Sequence, residues 1–347
     1  MIRRITIHDL MDMHDRPPMA DVRTPAEFAQ GHMPGAFCLP LFSNEERVKV
    51  GTTYKQESRE AAILLGFDLA GPKWSGFIRM ALEKAPDKKI AVHCWRGGMR
   101  SGAMAWALDL YGFQVHLVEG GYKRYRRWVL DQFEKTWPLS VVGGMTGSGK
   151  TKILHELRRR GEQVIDLEDL AQHQGSTYGT LGRLVQPSQE QFENDLAGQL
   201  YRLDRTRRIW VEDESLTIGK RIIPRTFWNK MQEALLFDVQ APLEVRVKTL
   251  VQEYGTLDRD FLEESTERIR KRLGPEQTKR AVGAIREGRM EDFIREVLVY
   301  YDKTYRTGLR GRDAGRIVQV PVQDGRVEEN AMLVLSAAKT STLLTEI

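Results

Sequence analysis

The 347-residue chain has only two cysteines, Cys38 and Cys94. That excludes a disulfide scaffold and offers no zinc-ligand pattern, so in a reducing compartment each thiol must be a core residue or a reactive group. No apolar run approaches the roughly 20 residues that a membrane-spanning helix needs. The N-terminal stretch MIRRITIHDLMDMHDR lacks the continuous apolar segment of a secretory signal. A cytoplasmic protein without a membrane partner is the expectation. There is no internal repeat and no long low-complexity tract, so the chain reads as globular throughout.

Hydrophobic residues make up 41% and charged residues 29% of the chain, a balance that supports a core in each half. At about 100–200 residues per domain, two domains are expected. Acidic residues are outnumbered, 48 against 53 Lys and Arg, giving a net charge of +5. The excess is local. Lys123, Arg124, Arg126 and Arg127 interleave with Tyr122, Tyr125 and Trp128; Arg158 to Arg160 form a run; Arg205, Arg207 and Arg208 form another; Arg268, Arg270, Lys271 and Arg272 form a fourth. Basic patches with aromatics suit an RNA backbone and stacked bases. Each cluster taken singly also reads as a solvated helix face. The first and last clusters are the RNA-binding candidates.

Strand and helix signals alternate through the first part. Ala20 to Arg23 reads as the end of a buried strand, and Thr24-Pro25-Ala26-Glu27 as a helix start with a capping threonine, a proline in the first turn and a glutamate three residues on. Lys89 to His93 is a second strand, Ser101 to Tyr111 a helix stopped by Gly112, Val115 to Val118 a third strand, and Tyr122 to Lys135 a helix. Pro138 is a sensible seam. Leu139 to Val142 starts a new strand, and from Leu243 onward the sequence is charge-rich and helical, with an unremarkable tail after Val322. The expectation is an α/β protein: a parallel-sheet domain over 1–137, then a second α/β domain over 138–347 with a helical C-terminal part.

Cys94 follows the strand KIAVH and precedes a helix, in the loop Cys94-Trp95-Arg96-Gly97-Gly98-Met99-Arg100, with Ser101 opening the helix. A thiol there meets the positive end of the helix dipole and unpaired N–H groups, while Arg96 and Arg100 add charge, so its pKa should fall. Gly97 and Gly98 let the backbone curl into an anion nest. The spacing from Cys94 to Arg100 also matches a tyrosine-phosphatase loop, with His93 as the only further phosphatase-like residue. Upstream, Asp21 to Phe28, Gly31 to Ala36 and Leu39-Pro40 resemble the N-terminal signature of single-domain rhodaneses, and Glu119-Gly120-Gly121-Tyr122 resembles their closing turn. The resemblance covers about residues 5 to 130 and implies a rhodanese-like fold with Cys94 carrying sulfur or selenium. Cys38 reads as structural.

Gly144 to Thr151 matches G-x-x-x-x-G-K-[ST], with a strand before it and a helix expected from Lys152. The residues Gly144, Thr146, Gly147, Ser148 and Gly149 would wrap a phosphate, Lys150 would bring a charge, and Thr151 could hold Mg²⁺. This is a P-loop, and it reports a di- or triphosphate ligand without specifying hydrolysis; no guanine-specificity or helicase-like motif accompanies it. Arg208 to Ser215 looks like a Walker-B strand, where Glu212 or Asp213 would orient a metal through water. No metal ligand is certain.

Further stretches occur in order: Val50 to Gln56, CWRGGMRS, VEGGYK, Asp166 to Ala171, His173-Gln174-Gly175-Ser176, Val211 to Ser215 and Ile218-Gly219. As a set they resemble the tRNA 2-selenouridine synthase family over nearly the whole chain. That resemblance implies action on wobble 2-thiouridine of tRNA: geranyl transfer to sulfur from geranyl diphosphate, then replacement of the geranylthio group by selenium from selenophosphate. It assigns the P-loop to the prenyl diphosphate. The anion loop Arg96, Gly97, Gly98, Met99, Arg100 and Ser101, with Cys94, goes to selenophosphate or a selenium adduct. A selenophosphate-supplying enzyme is an implied partner, and oligomeric state is left open. The residues alone leave two alternatives: an ATP-dependent sulfurtransferase or kinase, and a redox-sensing module with Cys38 as resolving thiol.

Overall fold

The structure, a computed structural model, describes residues 1–173, 178 and 185–345. Gln174, Gly175 and Ser176 of the motif above lie outside the described residues. The chain divides into two compact units, Met1–Gln132 with Ser188–Gly198, and Phe133–Pro187 with Gln199–Ile347.

The first unit holds a five-stranded parallel sheet of β1 (Ile2–Ile5), β2 (Met19–Asp21), β3 (Ala36–Cys38), β4 (Lys89–His93) and β5 (Gln114–Val118), in the order β1-β5-β4-β2-β3. Central β4 is buried from Ile90 to His93 because helices cover both faces, as parallel sheets require. Ala20, Val22, Val92, Leu108, Phe113 and Val115 form the core around it. Helix Pro25–Gln30 starts as its sequence dictates. Thr24 Oγ1 accepts from the Glu27 amide at 3.2 Å, and the Glu27 carboxylate accepts from the Thr24 amide at 3.0 Å.

Several boundaries differ from expectation. β2 stops at Asp21, although the Val22 amide still donates to the His93 carbonyl at 2.9 Å; Arg23 then forms a buried ion pair with Asp21 (2.6 Å) and donates to the Gly31 carbonyl. The helix after Cys94 begins at Met99 rather than Ser101, with Gly98 at its cap. The seam near Pro138 is also incomplete. Ser188–Gly198, far down the sequence, packs in the first unit, where the Tyr122 hydroxyl donates to Glu190 at 2.8 Å and Asn194 donates to the His32 carbonyl at 2.9 Å.

The second unit holds β6 (Leu139–Gly144), β7 (Gln163–Ile165), β8 (Ile209–Glu212), the antiparallel pair β9 (Thr217–Ile218) and β10 (Arg221–Ile222), β11 (Leu235–Gln240) and β12 (Ile317–Pro321). The five-stranded sheet is parallel, in the order β12-β11-β6-β8-β7, with every residue of central β6 buried. Helices Arg259–Arg268, Pro275–Arg286 and Met290–Leu309 build a separate core of Leu262, Ile285, Phe293 and Val297. The helical reading of the C-terminal part omits β12, whose short apolar run Ile317-Val318 is rescued as a strand by parallel pairing with β11. The tail forms helix Val327–Thr345, which buries Ala331, Val334 and Ala338 in the core beside β6 and β11.

Candidate active site

Two loops of the same construction hold the candidate residues. Each leaves the C-terminal end of a central parallel strand, turns on glycines and opens a helix, the position where α/β sheets bind ligands.

In the first unit, the Cys94 thiol sits at the end of β4 and is nearly enclosed. Its sulfur accepts from the Gly98 amide at 3.3 Å and from the Ser101 hydroxyl at 3.2 Å. Burial raises the thiol pKa. The Ser101 hydroxyl, the Ser101 and Arg96 amides and the Arg100 charge outweigh that, so the net shift is downward. The Glu119-Gly120-Gly121 turn holds the loop from behind: the Tyr122 amide donates to the Cys94 carbonyl at 2.8 Å and the Lys123 amide to the Trp95 carbonyl at 2.9 Å. A Cβ at Gly121, already at φ +55°, would lie 2.2 Å from the Cys94 carbonyl oxygen, so only glycine fits this close approach.

Arg100 is not a free anion ligand. It is held at 2.8 Å by Glu27, the same carboxylate that closes the capping box, while Arg96 is exposed. His93 lies fully buried beneath the loop. Burial depresses its pKa, with Asp21 pulling the other way; neither ring nitrogen has a hydrogen-bond partner, and Nδ1 lies 3.8 Å from the Asp21 carboxylate. Cys38 is separated from the end of β4 by β2, in the register Cys38–Asp21–His93. Two strand spacings put it about 9–10 Å from His93, beyond disulfide reach of the adjoining Cys94 without backbone movement. Burial, then Asp21, pushes the Cys38 thiol up to about 11. That geometry removes the support for Cys38 as a resolving thiol.

In the second unit, the P-loop runs from the end of β6, and Lys150 is the first residue of helix Lys150–Arg159, two residues earlier than the sequence signal. Gly147, at φ +82°, packs so tightly that a Cβ would lie 2.8 Å from the Arg246 carbonyl. Arg246 fixes this wall by a bidentate pair with Asp302, both contacts 2.7 Å. Lys150 Nζ lies 3.6 Å from Glu214. Burial disfavours its charge, but Glu214, Glu168, Glu212 and Asp213 hold it protonated. Glu214 is pushed up to about 7 by burial, with Lys150 pulling the other way and Glu168 and Asp213 adding to the rise.

The Thr151 hydroxyl donates to Glu168 at 3.3 Å, and Glu212 accepts from the Glu168 amide at 2.7 Å. Asp213 is taken by buried Arg312 at 2.7 Å, so Glu212, with one buried oxygen lacking a partner, is the acid left for metal-bound water. Among the described residues no group of three His, Cys, Asp or Glu forms a metal cage. Thr151, Glu168 and Glu212 instead fit the sparse protein set of a Mg²⁺ completed by phosphate and water. Sequence reasoning missed Glu168 and Glu214 as members of this cluster: both lie in motifs quoted above, yet only folding brings them to Lys150.

The basic clusters resolve unevenly. Lys123, Arg124 and Arg127 are exposed, but Arg126 is half-buried and bonded to Glu193 and to Asn194 (2.6 Å). Tyr122, Tyr125 and Trp128 are core residues, which removes them as base-stacking platforms; they are apolar at every third position because that helix face is the packed one. Arg268, Arg270, Lys271 and Arg272 are exposed, Arg268 and Arg270 in surface ion pairs with Glu264 and Glu267.

A cysteine loop on one parallel sheet and a P-loop on another define a rhodanese-like domain joined to a P-loop domain. Residues 6–127 match the rhodanese-like domain family, and residues 137–329 match the tRNA 2-selenouridine synthase AAA domain. Proteins named tRNA 2-selenouridine synthase are 38% identical in Nitrosomonas europaea (68% of this chain, 63% of that one), 38% in Shewanella sediminis (74% and 75%) and 36% in Hydrogenovibrio crunogenus (83% and 88%). The chain belongs to the tRNA 2-selenouridine synthase family. It spans 63% of the length of the Nitrosomonas relative. Among the described residues no helix is long and apolar enough to cross a membrane.

Proposed function

We propose that the protein is a tRNA-modifying transferase that converts wobble 2-thiouridine to 2-selenouridine through an S-geranyl intermediate. In the first step the thiouridine sulfur attacks the allylic carbon of geranyl diphosphate. The S–C bond forms as the C–O bond breaks, diphosphate leaves, and the N3 proton is released. Lys150 and the helix N-terminus behind it face the leaving diphosphate, whose charge grows in the transition state. Thr151, Glu168 and Glu212 would hold Mg²⁺, which supplies charge neutralisation at the phosphates. In the second step selenophosphate, held at the anion loop beside Cys94, delivers its selenium: selenium bonds to C2 and the C2–S bond breaks. Geranylthiol leaves with a proton, and water takes up the phosphoryl group as phosphate. The S-geranyl group makes sulfur the better leaving group.

The observation that carries the reading is the lowered thiol of Cys94, cradled by the Gly98 amide and the Ser101 hydroxyl. It gives one chain a chalcogen-handling loop in addition to its phosphate loop. An ATP-dependent kinase or sulfurtransferase would use the same P-loop, and binding assays separate the two: tight geranyl diphosphate with weak ATP supports the present reading. The test is mass spectrometry of nucleosides from thiolated tRNA incubated with protein, geranyl diphosphate and selenophosphate. Geranylthiouridine followed by selenouridine is expected; thiouridine left unchanged refutes the reading.

A further inference from the structure

Between β3 and β4 the first unit inserts helices Asn44–Gln56, Arg59–Ala70 and Trp74–Lys84. The first of these buries none of its residues, and the second buries only Ala62 and Ala70. Their apolar side chains instead line a cavity of about 950 Å³ closed on another side by the helix that follows Cys94. Its walls include Phe42, Val50, Ile63, Phe67, Trp74 and Met99. Phe67 and Met99 are 59% and 57% exposed, a large apolar surface left to water.

Two further features narrow the occupant. Arg47, Lys55, Arg59 and Arg96 also line the cavity, with Arg100, which Glu27 holds, and no carboxylate lines it. An apolar body ringed by cations suits an apolar chain attached to an anionic group. Gly51, Gly66 and Gly102 line it too, each inside a different helix. Glycine is a poor helix residue. A Cβ at Gly102 would meet nothing within 4 Å, and one at Gly66 only the Phe42 ring edge at 3.4 Å. These two glycines leave room rather than relieve strain. The volume lies at the upper end of ligand pockets, about 300–1,000 Å³, far more than selenophosphate alone needs.

The geometry points to this cavity as the seat of the ten-carbon chain of the S-geranylated nucleotide, which it brings to the Cys94 loop through Arg96, Met99 and Arg100, with the cationic rim receiving the flanking RNA phosphates. This rests on the two-step reading above. It gives the prenyl group a second role: besides activating sulfur, the chain anchors the intermediate on the first unit for selenium exchange.

The test compares binding of three anticodon stem-loop RNAs carrying wobble S-geranyl-2-thiouridine, S-methyl-2-thiouridine or 2-thiouridine. The wild-type full chain should bind the S-geranyl RNA at least about tenfold more tightly than the S-methyl RNA, given the apolar area buried. Gly66→Leu and Gly102→Leu, which fill the cavity from two different helices, should each abolish that preference. They should keep wild-type affinity for the other two RNAs, which doubles as the control for folding, and an unchanged KM for geranyl diphosphate. Filled variants that retain the preference overturn the proposal alone. Loss of geranyl diphosphate binding with S-geranyl RNA unaffected assigns the cavity to the donor and also overturns it. A wild-type chain that shows no preference and exchanges no selenium into S-geranyl RNA overturns the two-step reading itself.

Discussion

The cysteine loop and the P-loop are built alike, strand to glycine turn to helix N-terminus, yet their surroundings are opposite. Around Cys94 the fold supplies donors to a group that becomes negative: the Gly98 amide, the Ser101 hydroxyl, and the Arg100 charge, itself steadied by Glu27. Around Lys150 it supplies acids to a group already positive: Glu214, Glu168 and Glu212. The first loop thus stabilises an anion of its own, and the second stores a cation that an incoming diphosphate must win from Glu214. The two loops share one architecture, and their buried neighbours decide whether the loop holds an anion of its own or a cation.

The largest expected effect breaks the comparison at its first member. Cys94→Ser replaces the thiol with a hydroxyl that does not ionise near neutral pH. Selenium incorporation should fall below about a thousandth of wild type while geranylated tRNA accumulates, because the P-loop is untouched. Nucleoside mass spectrometry reads both products. Next comes Lys150→Ala, which removes one full charge from the leaving diphosphate. Geranyl transfer should drop by about a hundredfold to a thousandfold in kcat, with the fall in kcat larger than the rise in KM, since the charge matters most as the C–O bond breaks. Single-turnover rates at saturating geranyl diphosphate give the split.

A smaller effect sharpens the contrast between the two thiols. Cys94 titrates below the ordinary thiol value, and Cys38 at about 11. As pH rises, the thiolate absorbance band should grow first from Cys94, in a phase that Cys94→Ser removes and Cys38→Ser leaves. Ser101→Ala takes away one donor to the thiolate, so the first phase should move up by about one pH unit, the worth of one charge-assisted hydrogen bond. An unmoved phase would mean that the Ser101 hydroxyl spends its proton on the Gly98 carbonyl, 3.1 Å away, rather than on sulfur. The smallest effect concerns RNA. Charge reversal of Lys123, Arg124 and Arg127, or of Arg268, Arg270, Lys271 and Arg272, should reduce the log–log salt slope of tRNA binding by roughly 0.7–0.9 for each phosphate the variant no longer neutralises. Unchanged slopes would mark both clusters as solvated faces.

Much of this was legible in residue order because the signals are local. Thr24-Pro25-Ala26-Glu27 caps its helix as its chemistry requires, and both glycine loops lie where strand and helix signals meet. What residue order hid depends on long-range packing. The basic-aromatic run at Tyr122 to Trp128 looks like an RNA platform until its aromatics pack inward and Arg126 bonds Glu193 and Asn194. Ser188–Gly198 carries no mark that it belongs with the first unit. Glu168 and Glu214 become neighbours of Lys150 only because β8 pairs with β6 and β7 with β8.

The central claim is that the two loops serve two separate steps, and one measurement tests it most directly: selenouridine formation by Lys150→Ala from tRNA supplied already S-geranylated, with selenophosphate. The account predicts a rate close to wild type, because the diphosphate clamp is no longer needed. A rate as depressed as the variant's geranyl transfer would contradict it and make the two loops parts of a single shared site.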